Sequence, residues 1–444
     1  MHRPVLERFE RKTYQEPLRE WIMKLSIAQA GAETFKNKRV LVRVDYNVPQ
    51  HEDGSVADDS RIRGSLQTIE FLHKAGAKII LCSHLGRPKG KKDEKYSLRP
   101  ISTRLSQLLS DDVGCTAKFV GDCVGPEVES AISEMKPGDV LLLENVRFYA
   151  EEEKNDAEFS KKLASLAEIY VSDAFGAVHR AHASTEGVSK HLKPALAGFL
   201  LEREIKMLTQ ALDPTRPVAT IIGGAKVSSK IGVLQNLLGR CDTIIIGGAM
   251  AFTFFKARGL EVGKSLVEDD RLDYCRQLEK DAEAEGVKLI LPVDVVVAPK
   301  FPAEGDVLPA EPHVVSIDAI PSDQMGLDIG PKTIALIHEE LSKCKTIVFN
   351  GPMGVFEHGY EAGTYRLIDE LVKLTQQGVV TIVGGGDSVS AVRAHGINEN
   401  QFTHVSTGGG ASLEFLEGKD LPGIACLDDA PKSATRELDA IRKN

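Results

Sequence analysis

The sequence predicts an α/β protein built as two domains, each a parallel sheet covered by helices. Three observations predict it. Short apolar runs alternate with amphipathic helical stretches along the whole chain, the pattern of strand–helix repeats joined by right-handed crossovers. Glycine clusters follow apolar runs at Gly223–Gly224, Gly247–Gly248, Gly384–Gly385–Gly386 and Gly408–Gly409–Gly410, as expected where strand ends approach a ligand. The length of 444 residues exceeds one typical core.

Taken in order, Arg39–Val44 reads as a strand and Ile62–Leu72 as a helix. Lys78–Cys82 is a strand, Leu98–Leu109 a helix, Val140–Leu143 a strand, Ala157–Leu166 a helix and Ile169–Val171 a strand. A long helical stretch, Pro194–Leu212, closes on the breaker Asp213–Pro214–Thr215–Arg216–Pro217, where the interdomain hinge is expected. Strands then recur at Val218–Ile222, Thr243–Ile246, Lys288–Leu291, Thr346–Phe349 and Val379–Val383.

Composition removes several function classes. No apolar run reaches the ~20 residues of a membrane span. The seven cysteines are scattered with no CxxC pair, which reads as reduced thiols and neither a zinc site nor a disulfide framework. Residues 1–200 carry 30 Lys+Arg against 29 Asp+Glu, while residues 201–444 carry 25 against 35, so the net charge of −9 lies in the second half. That balance disfavours a nucleic-acid binder. The relative surplus of cations in the first half suits either an anionic small substrate or solvated surface charge. The first 25 residues mix both signs of charge, which fits neither a secretory signal nor a transit peptide. Trp21, the single tryptophan, forms with Ile22 and Leu25 a candidate apolar face that docks on the first domain.

Four polar runs of the first half fall where strands should end: Arg43–Pro49, Ser83–Pro88, Glu144–Phe148 and Asp173–His182, with Arg61 opening the first helix. Each supplies arginine, histidine or a short polar side chain. Converged, they would make a basic pocket for phosphate and carboxylate, which the planar fork of arginine grips in pairs. Taken singly, Asp45 and Asn47 before a proline could make a turn, and Arg147 could be a surface residue. His179 and His182 have no carboxylate or cysteine at zinc-ligand spacing. In the second half, Ile221–Lys230 reads as a strand, two glycines, Lys226, then Lys230 one helical turn on. Free N–H groups at the start of that helix and two mobile charges would suit a phosphate. The pattern is not the P-loop.

These residues closely resemble the phosphoglycerate kinase family, in its bacterial and plastid branch. The resemblance rests on RVDYNVP (43–49), SRIR (60–63), SHLGRPKG (83–90), LLENVRF (142–148), DAFGAVHRAHAST (173–185), IIGGAKVSSKI (221–231), MGLDIGP (325–331), FNGPMGVFE (349–357), GGGDS (384–388) and STGGGASLEFL (406–416). It implies two Rossmann-like lobes with a central cleft and a hinge that closes on the substrates. It implies an N-terminal extension over 1–25, an acid-binding lobe over 26–193, a hinge helix over 194–212, a nucleotide lobe over 213–425 and a tail over 426–444 returning to the first lobe. The implied reaction is reversible phosphoryl transfer between ATP and 3-phosphoglycerate, giving ADP and 1,3-bisphosphoglycerate, with Mg2+ as cofactor of the nucleotide.

By the same resemblance, Asp45, Asn47, Arg61, His84, Arg87, Arg147 and Arg180 contact the acid, with His179 and His182 nearby. Gly223, Gly224, Ala225, Lys226, Lys230, Gly326, Leu327, Asn350, Pro352, Val355, Glu357, Gly384, Gly385, Gly386, Asp387 and Ser388 fall at nucleotide positions. Asp387 matches the magnesium-linked aspartate and Glu357 the ribose-binding glutamate. Arg61, Lys226 and Gly385 carry the catalytic role. Gln324 departs from the family, which has tryptophan there. A monomer working in the cytoplasm, or alternatively in a plastid stroma, is expected. A nucleotide-dependent dehydrogenase lacks its G-x-G-x-x-G after the first strand. A non-catalytic relative would have lost Lys226, Arg61 or Asp387, and none is lost.

Overall fold

The computed structural model describes residues 23–212, 214–303 and 312–431. Trp21 and Ile22 of the expected docking face, and residues 432–444 of the expected tail, lie outside them. Two compact units emerge: Met1–Lys206 with Asp420–Asn444, and Met207–Lys419. The division falls inside one helix, Phe199–Leu212.

The first unit holds a six-stranded parallel sheet of β1 (Arg39–Val44), β2 (Lys78–Cys82), β3 (Ala117–Phe119), β4 (Val140–Leu142), β5 (Ile169–Asp173) and β6 (Ala195–Ala197). Its order is β3-β4-β2-β1-β5-β6. The strands from β1 to β5 lie buried along nearly their whole length, except short β3, because helices cover both faces. The chain starts at β1, runs outward through β2, then crosses to β5 on the other side. The carboxyl ends of β1, β2 and β5 therefore flank the point where strand order reverses, which is where open α/β sheets bind ligands.

The second unit repeats the plan. Its strands are β7 (Val218–Ile222), β8 (Thr243–Ile246), β9 (Lys288–Ile290), β13 (Thr346–Asn350), β14 (Val380–Gly384) and β15 (His404–Val405), in the order β15-β14-β13-β7-β8-β9. Here the reversal lies at β7 and β13, which pair in register from Thr346 with Val218 to Asn350 with Ile222. A smaller antiparallel sheet has β10 (Asp294–Ala298) between β11 (His313–Ser316) and β12 (Met325–Ile329).

The structure corrects the sequence reading in one long element. Pro194–Leu212 is not a single helix. Ala195–Ala197 is buried and pairs with β5, and the helix starts only at Phe199. The cause is Asp173 at the end of β5. Its Oδ1 accepts the N–H of Leu200 at 2.9 Å and of Leu201 at 3.2 Å, so it caps the helix from another strand. Thr68 Oγ1 takes the N–H of Phe199 at 2.9 Å. Burial pushes the Asp173 carboxyl up to about 7. Gly198 is required beside it, since a Cβ there would lie 2.3 Å from Asp173 Oδ1.

Near the chain ends, Leu25 donates its N–H to Asp428 O at 2.8 Å, and its own carbonyl accepts from Ala197 at 2.9 Å. Lys193 pairs with Asp428 at 2.5 Å and Lys24 with Asp429 at 2.7 Å. Residues 24–26 and 428–429 are thus tied to the β6 edge of the first unit.

Candidate active site

In the first unit the residues after β1 fold back on themselves. Asp45 is buried, and its Oδ2 accepts from Arg61 Nη1 at 3.1 Å. The same nitrogen reaches Asn47 O at 3.0 Å. Asn47 Oδ1 takes the N–H of Gly86 at 2.8 Å, which joins the ends of β1 and β2. Arg147 sits in a turn after β4 whose capping residue is Asn145. Its Nη1 donates to Gly86 O at 2.8 Å. Its Nε pairs with Glu153 at 3.4 Å as an ion pair but is buried without a hydrogen-bond partner.

Behind these lies His84, buried and surrounded by positive charge. Burial, then the guanidinium groups of Arg43, Arg147, Arg61 and Arg180, hold its imidazole well below the usual histidine range. Burial, with Arg147 next, brings His182 down to about 4. His179 is also lowered, by burial and then Arg180, whose Nε meets His179 Nε2 at 3.1 Å. All three histidines are therefore neutral at pH 7. Asp45, Asn47, Arg61, His84, Arg147, His179 and Arg180 form one neighbourhood at the carboxyl edge of the sheet. Arg87 is exposed, and no hydrogen bond ties its side chain to this group among the described residues.

In the second unit glycines let backbones touch. A Cβ on Gly223 would fall 2.1 Å from Pro352 O, and one on Gly351 would fall 2.2 Å from Gly223 O. Gly224, at φ 121°, turns the chain away from β7. Asn350 at the end of β13 is fully buried. Its Oδ1 accepts from Lys230 Nζ at 2.5 Å, and its Nδ2 has no protein partner. Burial lowers Lys230, opposed by the carboxylates of Asp387 and Glu417. Ser388 Oγ takes the N–H of Gly351 at 2.6 Å. Gly384 ends β14, Gly385 caps the helix Gly386–Ala394, and Asp387 lies exposed in its first turn. A Cβ on Gly385 would press on the Asn350 amide at 3.1 Å.

The expected helix between the two lysines is absent. Ala225–Lys230 is a loop, and the helix Ile231–Leu238 begins after Lys230. Val227 is buried there, and Ser228 is held through its N–H and hydroxyl by Glu268. Ala225 and Lys226 are exposed, and the Lys226 side chain makes no hydrogen bond or ion pair among the described residues. Mobile charge is thus present at Lys226, but a helix N-terminus is not. Further along the edge, Gly326 admits the Phe252 ring, and Val355 donates its N–H to Leu327 O at 2.9 Å. Glu357 is exposed on the short turn Phe356–His358. Gln324 Oε1 bonds His313 Nδ1 at 3.0 Å, so it ties β11 to the start of β12.

Asp328 lies beneath this loop. Its carboxylate takes the N–H of Gly363 at 2.7 Å and of Ile329 at 2.8 Å. Burial pushes it up to about 7. Its folded value exceeds the unfolded one, so its contribution to stability is complete at acid pH and is lost as pH rises through about 7. Asp328→Asn is therefore expected to lose less stability than the wild type between pH 5 and pH 8, measured by urea midpoints. An unchanged difference between the two pH values would remove Asp328 as the titrating group.

The donor set bears on the metal. No group of three His, Cys, Asp or Glu that could hold an ion occurs among the described residues. Asp387, an exposed carboxylate beside Lys230 and the glycine turns, fits Mg2+ that arrives with nucleotide phosphates, since Mg2+ is often held by one or two carboxylates plus substrate oxygens. No helix among the described residues is long and apolar enough to cross a membrane.

The sequence reading included Arg43 and Ser184 only within motifs and gave them no role of their own, and it did not single out Glu152. Arg43 is 1% exposed. Its Nε donates to Ser184 Oγ at 2.9 Å, and Ser184 Oγ donates to Glu152 Oε1 at 2.6 Å. The available signal was a charge inside an apolar strand buried on both faces.

Comparison with known proteins agrees with this geometry. The family model for phosphoglycerate kinase matches residues 31–419. A phosphoglycerate kinase of Prochlorococcus marinus is 55% identical over 408 residues, covering 91% of this chain and 99% of the relative. A chloroplastic phosphoglycerate kinase of Volvox carteri is 54% identical over 410 residues, covering 92% of this chain and 87% of the relative. The structure of phosphoglycerate kinase from Coxiella burnetii superposes with a TM-score of 0.79 at 40% identity, covering 91% of this chain and 98% of that one. With a matching family model across most of its length and relatives above half identity, the chain belongs to the phosphoglycerate kinase family.

Proposed function

We propose that the chain transfers a phosphoryl group reversibly between ATP and the carboxylate of 3-phosphoglycerate, giving ADP and 1,3-bisphosphoglycerate. The observation that carries this reading is the cluster of Arg61, Arg147 and Arg180 around a neutral, buried His84, a concentration of positive charge suited to a small polyanion. The acid is held by this cluster with Asp45, Asn47, His179 and His182, and Arg87 reaches it from the rim. The nucleotide lies against Gly223, Gly224, Ala225, Lys230, Asn350, Pro352 and Gly384–Ser388, with its base and ribose toward Gly326, Leu327, Val355 and Glu357. Asp387 would hold Mg2+, which neutralises charge on the phosphates.

The nucleophile is a carboxylate, already ionised near pH 7, so the protein needs no general base. Its work is positioning and charge neutralisation. Arg61 and Lys226 neutralise the phosphoryl group in flight, and the N–H groups at Gly385 and the helix after it donate to its oxygens. We read the chain as a monomer, because each set of side chains comes from one lobe of one chain. Cytoplasm is the location we assign. The chloroplastic name of the Volvox carteri relative favours a plastid stroma as the second reading. Glycolysis and carbon fixation both use this reversible step.

Titration calorimetry tests the division of labour. Arg180→Ala should weaken 3-phosphoglycerate by about 10- to 100-fold, the loss of one charged hydrogen bond, and leave MgADP unchanged. Lys230→Ala should do the reverse. Loss of both ligands in either variant, or of neither, would contradict the assignment.

A further inference from the structure

We propose that Arg43 is a positioning residue that locks His84 in its neutral tautomer, with hydrogen on Nε2, so that the acid pocket receives from His84 a hydrogen-bond donor and not a cation. Arg43 Nη2 lies 3.0 Å from His84 Nδ1. A guanidinium only donates. The contact is a hydrogen bond only when Nδ1 is bare, and the ring hydrogen must then sit on Nε2. A hydrogen on Nδ1 would face the Arg43 hydrogen, and the nearest carboxylate oxygen, Asp45 Oδ1, is 3.9 Å away, too far to accept it.

Arg43 cannot turn aside. Its Nε is fixed on Ser184 Oγ, its Nη1 on Val44 O, and Ser184 is fixed on the fully buried Glu152. The charged groups facing His84 are Arg43 and Asp45 from the β1 end, Arg61 from the helix Ser60–Lys74, Arg147 from the turn after β4, and Arg180 from the segment after β5. Four cations to one carboxylate oppose a further positive charge on the ring. Among the described residues no protein group accepts from Nε2, so that hydrogen is available to a ligand.

The consequence for binding rests on the proposed acid substrate, but the tautomer does not. The test therefore begins without substrate. In protein labelled with 15N-histidine, the His84 signals, assigned by their loss in His84→Gln, should show bare Nδ1 and protonated Nε2, unchanged from pH 8 to pH 5.5. A protonated Nδ1, or a titration in that range, overturns the proposal whatever the enzyme acts on. In Arg43→Met the lock is removed, and His84 should exchange between tautomers or titrate. Arg43→Lys keeps charge in the core but loses the fork that reaches Ser184 and His84 together, and is read the same way should the first variant not fold. A ring that stays fixed in whichever variant folds removes Arg43 from the role.

Kinetics supply the second arm. Glutamine places an amide N–H near the Nε2 position without charge. His84→Gln should keep KM for 3-phosphoglycerate within about threefold, while His84→Ala should raise it about tenfold or more. Equal losses in both would show that a neutral donor is not what His84 supplies. Absence of any turnover with 3-phosphoglycerate in the wild type would sink the substrate assignment and leave the tautomer measurement intact.

Discussion

Replacing Lys226 by alanine is expected to lower kcat by about 10²- to 10³-fold, close to 3–4 kcal/mol of transition-state stabilisation from one well-placed charge. The fold should survive. Lys226 is exposed on the loop between β7 and the helix Ile231–Leu238, and its side chain holds nothing else in place among the described residues. A residue with no structural partner isolates the chemical effect. Lys230 differs, because its ammonium is engaged by Asn350 and largely buried. Steady-state turnover of purified Lys226→Ala, with circular dichroism to confirm folding, decides the point. Near wild-type kcat in folded protein would remove Lys226 from the mechanism.

Glu152→Ala is expected to be the most damaging single change to stability, at about 3–5 kcal/mol, the order of cost when a buried charge loses its compensation; here Glu152 reaches Arg43 through the Ser184 hydroxyl. Glu152 is fully buried and accepts from Ser184 N at 2.9 Å and Ser184 Oγ at 2.6 Å. Ser184 in turn carries the Arg43 guanidinium. Alanine would leave that cation in the core with no carboxylate behind it. A domain's whole stability is only about 5–15 kcal/mol, so much of the first lobe's margin would go. Urea unfolding measures this. A midpoint within error of wild type would mean that Arg43 does not depend on Glu152.

The strands of both parallel sheets were largely legible because burial on two faces writes continuous apolar runs such as those of β1, β2 and β7. Three short strands were not, although β4 and β9, of three residues each, were read as strands. β3, β6 and β15 have too few residues to show a period, and β6 reads as helix because Ala195–Ala197 is helix-compatible until Asp173 claims the helix start. The antiparallel β10–β12 were missed between helical patterns, although β12 carries Gly326 and Leu327. The site residues were readable as motifs at strand ends. Their connections were not: the loop after Gly224 reads as a helix until Glu268 holds Ser228, and that contact spans 40 residues. Arg43 shows the same limit. Its place in the sequence is a strand, and only the fold brings Ser184 and Glu152 to it.

The central claim is that one chain joins an acid-binding lobe and a nucleotide-binding lobe into a single phosphoryl-transfer enzyme. The most direct measurement is a coupled assay of ATP consumption by the purified full-length chain with 3-phosphoglycerate, run beside controls that lack the acid or Mg2+. The account predicts turnover that requires all three, yields 1,3-bisphosphoglycerate, and runs backward when ADP and that product are supplied. ATP consumption that ignores 3-phosphoglycerate, or its absence in folded protein that binds both ligands, would contradict it.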